Sequence, residues 1–165
     1  MYKIGDKIFY PMHGAGLIED IVEKEVLGEV RKYFVVGLVG SSVKISIPFD
    51  NAENVGLRPI ICSETASKVI SEFGDEKIPE HDNWNVRYRE NLEKMKSNKI
   101  GDVSLVVKEL MLREKKKNLS TGERKMLSSA KNILISELGL SLGKTYDEID
   151  SLLSAMIEKY CACAI

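Results

Sequence analysis

The pattern of apolar residues changes near residue 60, and this change constrains the fold more than any other feature of the chain. The first sixty residues are rich in Val, Ile, Tyr and Phe and are interrupted by glycine at short intervals. Short apolar runs separated by turn residues are typical of antiparallel strands. From Ser63 onward the apolar residues recur with helical spacing instead. The sequence therefore predicts an α+β protein made of two parts.

The boundaries of the two parts follow from this change of pattern. Residues 1–60 are few enough that closing their sheet is the simplest way to remove exposed edges. We therefore predict an SH3-like or Tudor-like antiparallel β-barrel there. Residues 61–82 are predicted to form a short helix and a polar linker, and residues 83–165 are predicted to form a compact all-helical domain.

Capping residues divide the helical part into separate helices. Helix starts are predicted where a side chain can accept a hydrogen bond from the first backbone N–H groups. These candidate caps are Ser63, Asp82 or Asn83, Asp102, Ser120 and Thr145. Ser120 and Thr145 also stand three residues before a glutamate, which is the spacing of a capping box.

The residues that could carry catalysis form no recognisable pattern. The two histidines, His13 and His81, lie far apart, and the glycines of Gly14-Ala15-Gly16 lack the lysine of a phosphate-binding loop. Cys161 and Cys163 have no neighbouring ligands to complete a zinc site, so we place them in a frayed C-terminal tail. We predict a non-enzymatic protein with no catalytic residue, no metal, no cofactor and no small-molecule substrate.

Cysteine usage and hydropathy indicate the cellular compartment. The chain has three cysteines, which cannot all pair, and no apolar run approaches the roughly 18 to 20 residues that cross a bilayer. Its first residues lack the apolar stretch and cleavage site of a signal peptide. We therefore expect a cytoplasmic protein with no membrane partner.

The net charge of −1 conceals a strong asymmetry along the chain. Residues 81–131 carry 13 basic and 7 acidic side chains, whereas the chain as a whole carries 24 and 25. A contiguous basic block in an otherwise acidic protein indicates a surface that faces a polyanion. Lys94, Arg124 and Lys131 are candidate phosphate contacts in this block.

The single tryptophan, Trp84, lies in the basic block at a predicted helix start, and Arg87 and Arg89 follow it. A large ring beside guanidinium groups suits unpaired or distorted DNA, because the ring replaces lost base stacking while the cations hold phosphates. The spacing of four residues to Tyr88 equally fits a core residue that packs as a hydrophobic staple. The residues alone leave both interpretations open.

Several motifs, taken in order, resemble the CarD/CdnL family of bacterial transcription regulators. In the β part they are Gly5-Asp6, Tyr10 to Gly16, Gly28-Glu29, Ile47-Pro48, Asn51 to Glu53 and Val55 to Arg58. In the helical part they are Asn83-Trp84, Arg87-Tyr88, Asn91 to Lys94 and Leu119 to Leu127. The resemblance covers about residues 2–142 and is specific, because both halves match in order and spacing.

This resemblance implies a tether between RNA polymerase and promoter DNA. The Tudor-like domain would bind the polymerase beta subunit, and two contact positions of relatives align to Lys24 and Ser46. Lys44, two residues before Ser46 on the same strand face, and Pro48 complete the implied polymerase-binding residues. The helical domain would lie at the upstream edge of the transcription bubble, contact the DNA backbone and place its tryptophan in the minor groove. The implied DNA-binding residues are Trp84, Arg87, Arg89, Lys94, Arg124, Lys125 and Lys131.

The expected function is stabilisation of the open promoter complex without sequence-specific base reading. A wedge that fits only the melted junction favours the open state through its differential affinity. The alternative is a protein-interaction adaptor that binds polymerase through its barrel and does not engage DNA.

Overall fold

A computed structural model describes residues 1–75 and 77–163 of the chain. Over these residues five strands precede five α-helices, which confirms the predicted α+β class with a β-rich N-terminal part and a helical C-terminal part. The strands are β1 (Lys7–Tyr10), β2 (Gly14–Val26), β3 (Glu29–Leu38), β4 (Lys44–Pro48) and β5 (Arg58–Pro59), with a 3₁₀ turn at Phe49–Asn51. The helices are α1 (Ser63–Asp75), α2 (Trp84–Lys96), α3 (Ile100–Lys116), α4 (Thr121–Leu142) and α5 (Tyr146–Cys163).

The strands form one antiparallel sheet in the order β4-β3-β2-β1-β5. Alternate residues such as Phe34, Val36 and Ile47 are buried on its inner face, where they form the core of the β part. The pairing of β2 with β3 shifts between Ile18 and Asp20, and such a bulge bends a strand. The sheet therefore has an apolar inner face and a polar outer face, and β4 and β5 are its edges.

The hairpin of β2 and β3 extends beyond the rest of the sheet. Strand β4 pairs with β3 only from Tyr33 to Gly37, so residues 23–32 form a two-stranded ribbon. The ribbon tip carries three exposed apolar side chains, and Leu27 is fully exposed. These side chains are Val26, Leu27 and Val30.

The helices enclose a second and larger apolar core. Helices α3 and α4 supply its centre with fully buried side chains. These include Val106, Val107, Leu110, Ala130, Leu134 and Leu138. Helix α1 buries Ala66, Val69 and Phe73 in the same core. The short helix expected between the two parts therefore packs within the helical body.

Three of the predicted caps are confirmed by their hydrogen bonds. The Asn83 side chain accepts from the backbone N–H groups of Asn85 and Val86 at the start of α2. Ser120 and Glu123 form a capping box at the start of α4. Thr145 and Glu148 exchange the equivalent two hydrogen bonds before α5, at 2.8 and 3.2 Å.

Three predicted helix ends are wrong. Helix α3 begins at Ile100 rather than after Asp102, because burial of Ile100 in the helical core extends the helix by three residues. Helix α4, which the sequence predicts to end near Leu138, continues to Leu142, where Gly143 ends it in the left-handed conformation. Cys161 and Cys163 do not lie in a frayed tail, since α5 runs to Cys163 and Cys161 packs against the helical core.

Close packing joins the β part to the helical part. The Ala15 N–H donates to Ser136 Oγ on α4 at 2.9 Å, and both residues are buried. Gly14 has φ +100, and a Cβ there would lie 2.7 Å from Ser136 Oγ. Only glycine satisfies both the backbone conformation and this approach of β2 to α4.

A largely buried ion pair reinforces this junction. The Arg58 guanidinium of β5 donates to both carboxylate oxygens of Glu137 on α4, at 2.6 and 3.0 Å. Glu137 is fully buried, and its Oε1 also accepts from the Ile61 N–H at 3.0 Å. The other face of Arg58 lies 4.0 Å from the centroid of the Phe9 ring. These contacts fix the orientation of the sheet relative to the helices.

We predict that Arg58→Met lowers the free energy of unfolding by about 3 kcal/mol. The loss arises because a carboxylate remains buried without its counter-charge. Urea denaturation followed by circular dichroism measures it.

Arg31→Met is the matched control, since Arg31 pairs with Glu29 on the surface with half of its side chain exposed. Its denaturation midpoint should stay close to that of the parent protein. An equally small effect of Arg58→Met would contradict a stabilising role for the buried pair.

Candidate functional site

Trp84 is the first residue of α2, and its ring lies partly on the surface. The side chain is 42% exposed, which is high for the single tryptophan of the chain. The covered part stacks on Tyr88 with ring centroids 5.1 Å apart and planes 21° apart. The indole Nε1–H donates to Ser120 Oγ at the start of α4, at 3.1 Å. One part of the ring therefore packs against α2 and α4, and another part faces solvent.

Arg87 lies one turn after Trp84 but points into the protein, and only 2% of it is exposed. Its Nε and Nη2 atoms donate to Glu123 Oε1 at 2.9 and 2.7 Å. Its Nη1 donates to the His81 carbonyl at 2.7 Å. This placement does not favour direct DNA contact by Arg87, because its guanidinium is buried and hydrogen-bonded within the protein.

Glu123 is the acceptor at the centre of this arrangement, and it is 3% exposed. Burial raises the pKa of its carboxyl, but the hydrogen bonds from Arg87 and Ser120 outweigh burial and leave the pKa lowered. Glu123 is therefore ionised at neutral pH. It holds α2 and α4 together beneath the indole.

The two helices that contact the indole, α2 and α4, also carry cations that form no ion pair with any residue that the structure describes. Arg89 is exposed on α2, and Arg124 and Lys125 are exposed in the first turns of α4, directly after Glu123. Lys94 is half-buried in the last turn of α2. No ion pair within the described residues involves any of these four side chains. Their charge is available to a polyanion.

Lys131 differs from these four cations. Its side chain is 24% exposed and its Nζ lies 2.8 Å from Asp150 Oδ1 of α5. This contact joins α4 to α5, and the DNA contact expected at Lys131 stays a prediction. Lys115 and Lys116 likewise pair with Glu158 and Glu80.

The predicted polymerase-binding residues lie together on the outer face of the sheet. Lys24 reaches across β3, where its Nζ donates to Ser46 Oγ of β4 at 3.2 Å and lies 5.5 Å from the Tyr33 ring centroid. Lys44 pairs with Glu19 at 2.6 Å, and Pro48 lies opposite Tyr33 in the register. The structure therefore brings these four residues onto one surface that ends at the β4 edge. Those four are Lys24, Lys44, Ser46 and Pro48.

Two features of the candidate surfaces were missed in the sequence analysis. Ser120 was predicted as a helix cap, but its contact with Trp84 spans 36 positions and no local pattern reports it. Leu27 stands next to Gly28 in the β2–β3 turn, and its full exposure distinguishes it from an ordinary strand residue. An apolar residue directly before a turn glycine was the available signal.

Residues 1–75 and 77–163, which the structure describes, lack two features that other classes of protein use. No group of three or more His, Cys, Asp or Glu side chains there has the arrangement of a metal site. No helix among them is long and apolar enough to cross a membrane.

The fold and both surfaces define a two-part class, in which a small sheet is fixed to a helical body. Residues 2–61 match the family model of the CarD-like/TRCF RID domain, and residues 68–154 match that of the CarD C-terminal domain. The chain is also 37% identical over 155 residues to "Putative transcription factor YdeB" of Bacillus subtilis (strain 168), covering 92% of this chain and 99% of that protein. The chain therefore belongs to the CarD family, a family of transcription regulators.

We predict that Glu123→Gln destabilises the protein at neutral pH and that this difference shrinks in acid. The lowered pKa means that ionised Glu123 contributes stability above the ordinary glutamate pKa of about 4.3, which is lost as pH falls through the lower folded value. Gln cannot ionise, so the variant lacks this contribution at every pH. Urea denaturation at neutral pH and at about pH 3 measures the difference. A difference that stays constant with pH would contradict the assignment.

Proposed function

We propose that this CarD-family protein binds RNA polymerase through the outer face of its sheet and promoter DNA through the Trp84 end of its helical part. The beta subunit is the proposed polymerase contact, and the upstream edge of the transcription bubble is the proposed DNA contact. The protein then stabilises the open promoter complex. One observation carries the DNA half of the proposal: a half-exposed indole that stacks on Tyr88 and donates to Ser120, on two helices that also carry exposed cations.

The geometry around Trp84 supports contact with distorted or unpaired DNA. An aromatic ring presented at a helix start can stack on a base or wedge into the minor groove. Arg89, Arg124 and Lys125 are exposed on the two helices that contact the ring, and their charge supports the proposed phosphate contacts. None of them forms the regular pattern that reads base edges, so the contacts depend on DNA shape and backbone.

The outer face of the sheet supports a separate protein contact. It combines cations with half-buried apolar groups, among them Tyr33 and Val35, and it ends at an unpaired strand edge. Polar groups around an apolar centre are typical of transient interfaces. Because Arg58 and Glu137 fix the sheet to the helices, binding at one surface also positions the other.

The mechanism is a shift of population toward the melted state. A protein that binds the open complex more tightly than the closed complex favours opening by the ratio of the two affinities. Trp84 supplies this difference in the proposal, because a fork offers it an unstacked surface that a closed duplex lacks.

We predict that Trp84→Ala shortens the competitor-challenged lifetime of open complexes at an unstable promoter by at least about fivefold, the lower end of one aromatic-base stack. The fold should persist, since the ring is only partly packed. Val86→Ala, on the same helix with 38% exposure, is the matched control and should leave the lifetime unchanged.

Lys24→Glu distinguishes the proposal from the adaptor alternative. This variant should lose polymerase binding and, with it, the effect on lifetime. If Lys24→Glu abolishes the transcriptional effect while Trp84→Ala leaves it intact, the protein acts as an adaptor that does not engage DNA.

We predict that Arg124→Gln combined with Lys125→Gln reduces the salt dependence of binding to forked DNA. Each phosphate contact contributes about 0.9 to the slope of log K against log salt, so the slope should fall in magnitude by about 2. Fluorescence anisotropy of labelled DNA with the full chain measures it.

The control is the double variant Arg31→Gln and Lys32→Gln, which removes two positive charges from the β2–β3 ribbon instead. An equal change of slope in the control would indicate a net-charge effect and contradict phosphate contacts at Arg124 and Lys125.

A further inference from the structure

The direction in which the Trp84 ring points is set by two contacts. Stacking on Tyr88 fixes the plane of the indole, and the hydrogen bond from Nε1–H to Ser120 Oγ fixes its rotation within that plane. The first contact comes from α2 itself, and the second comes from α4. The exposed edge of the ring is therefore aimed jointly by two helices.

Three hydrogen bonds fix the orientation of the Ser120 hydroxyl. A hydroxyl offers one donor and two acceptor positions. Here it donates to Glu123 Oε2 at 3.1 Å, and it accepts from the Glu123 N–H at 3.2 Å and from the indole Nε1–H at 3.1 Å. All three positions are used, so the lone pair that receives the indole is fixed by Glu123.

Glu123 is in turn fixed by Arg87. The two carboxylate oxygens have separate partners, because Oε1 accepts from Arg87 while Oε2 accepts from Ser120. Arg87 lies three residues after Trp84 on the same helix. The contacts therefore close a ring that leaves α2 at the indole, passes through α4 and returns to α2 at Arg87.

We propose that Ser120, and through it Glu123 and Arg87, are positioning residues that set the orientation of the Trp84 wedge. This inference rests on the proposed function. Arg87 then affects DNA binding without touching DNA. A ring held in its bound orientation loses less conformational entropy on binding, which favours the complex. Ser120 has two functions, as a helix cap and as the acceptor for the indole.

A double-mutant cycle in the full chain tests the pairing of Ser120 with the indole. Trp84→Phe keeps an aromatic ring but removes the N–H donor. Ser120→Ala should shorten open-complex lifetime by roughly 2- to 10-fold, the range of one hydrogen bond. In the Trp84→Phe background the same substitution should have little further effect. Equal effects of Ser120→Ala in both backgrounds would overturn the proposal.

Loss of the helix cap must be separated from loss of indole positioning. Thr145→Ala is the matched control, because Thr145 and Glu148 form the same capping box before α5 and Tyr146, the residue after Thr145, is no part of the ring of contacts around Trp84. It should lower stability as Ser120→Ala does and leave open-complex lifetime unchanged. Ser120→Thr retains the hydroxyl and should restore lifetime.

Tryptophan fluorescence gives a readout that does not depend on polymerase or DNA. Trp84 is the only tryptophan, so acrylamide quenching reports its exposure directly. Ser120→Ala should increase quenching and Thr145→Ala should not. Glu123→Gln should increase quenching in the parent chain and have less effect once Ser120 is alanine. Unchanged quenching in Ser120→Ala would overturn the positioning role.

The same measurements separate this inference from the proposed function. If Trp84→Ala leaves open-complex lifetime unchanged, the proposed function fails, whatever the quenching shows. If Trp84→Ala shortens the lifetime but Ser120→Ala changes neither lifetime nor quenching, the proposed function stands and the positioning role is wrong.

Discussion

The orientation of the sheet on the helical body depends on the ion pair between Arg58 and Glu137, which lies where packing and a hydrogen bond already join the two parts. Glu137 is fully buried, and its charge is compensated by two hydrogen bonds from Arg58 and one from the Ile61 N–H. The same helix carries a second buried carboxylate, Glu123, which receives Arg87 from α2. Fourteen residues of α-helix, about 21 Å, separate the two carboxylates. Helix α4 is therefore a rigid strut with an arginine bound near each end.

This strut has a direct consequence for a protein that bridges two partners. When one surface is bound, the other is held at a fixed distance and angle, so the second contact forms with a high effective concentration. A flexible linker of the same length would spread that contact over many positions and weaken it. In the proposed function, the ion pair at Glu137 therefore orients the helical part relative to the sheet, and the ion pair at Glu123 orients the indole.

Local sequence rules predicted the parts of this structure that depend on nearest neighbours. The change from strand to helix, the Ser120 and Thr145 capping boxes and the Asn83 cap are all set within four residues of the chain. The failures share a cause, which is contact across long separations. Helix α3 starts before Asp102 because Ile100 packs in the core against the other helices. Arg87 resembles a surface cation in the sequence, because its partner Glu123 lies 36 positions away. The α+β class was therefore accessible from sequence, whereas the direction of each charged side chain was not.

Some cations of the basic block, residues 81–131, accordingly pair with acidic side chains, whereas others are exposed and form no ion pair with a residue that the structure describes. Arg87 and Arg89 are two positions apart on α2, so they point to opposite sides of the helix. One is enclosed with Glu123 and the other is exposed. Lys115, Lys116 and Lys131 are likewise engaged by acids of neighbouring segments. What remains unpaired among the described residues includes Arg89, Arg124 and Lys125, which lie on the two helices that hold the indole. Part of the positive charge that forms no ion pair in the described part of the chain is thus carried by the two helices whose side chains contact the indole.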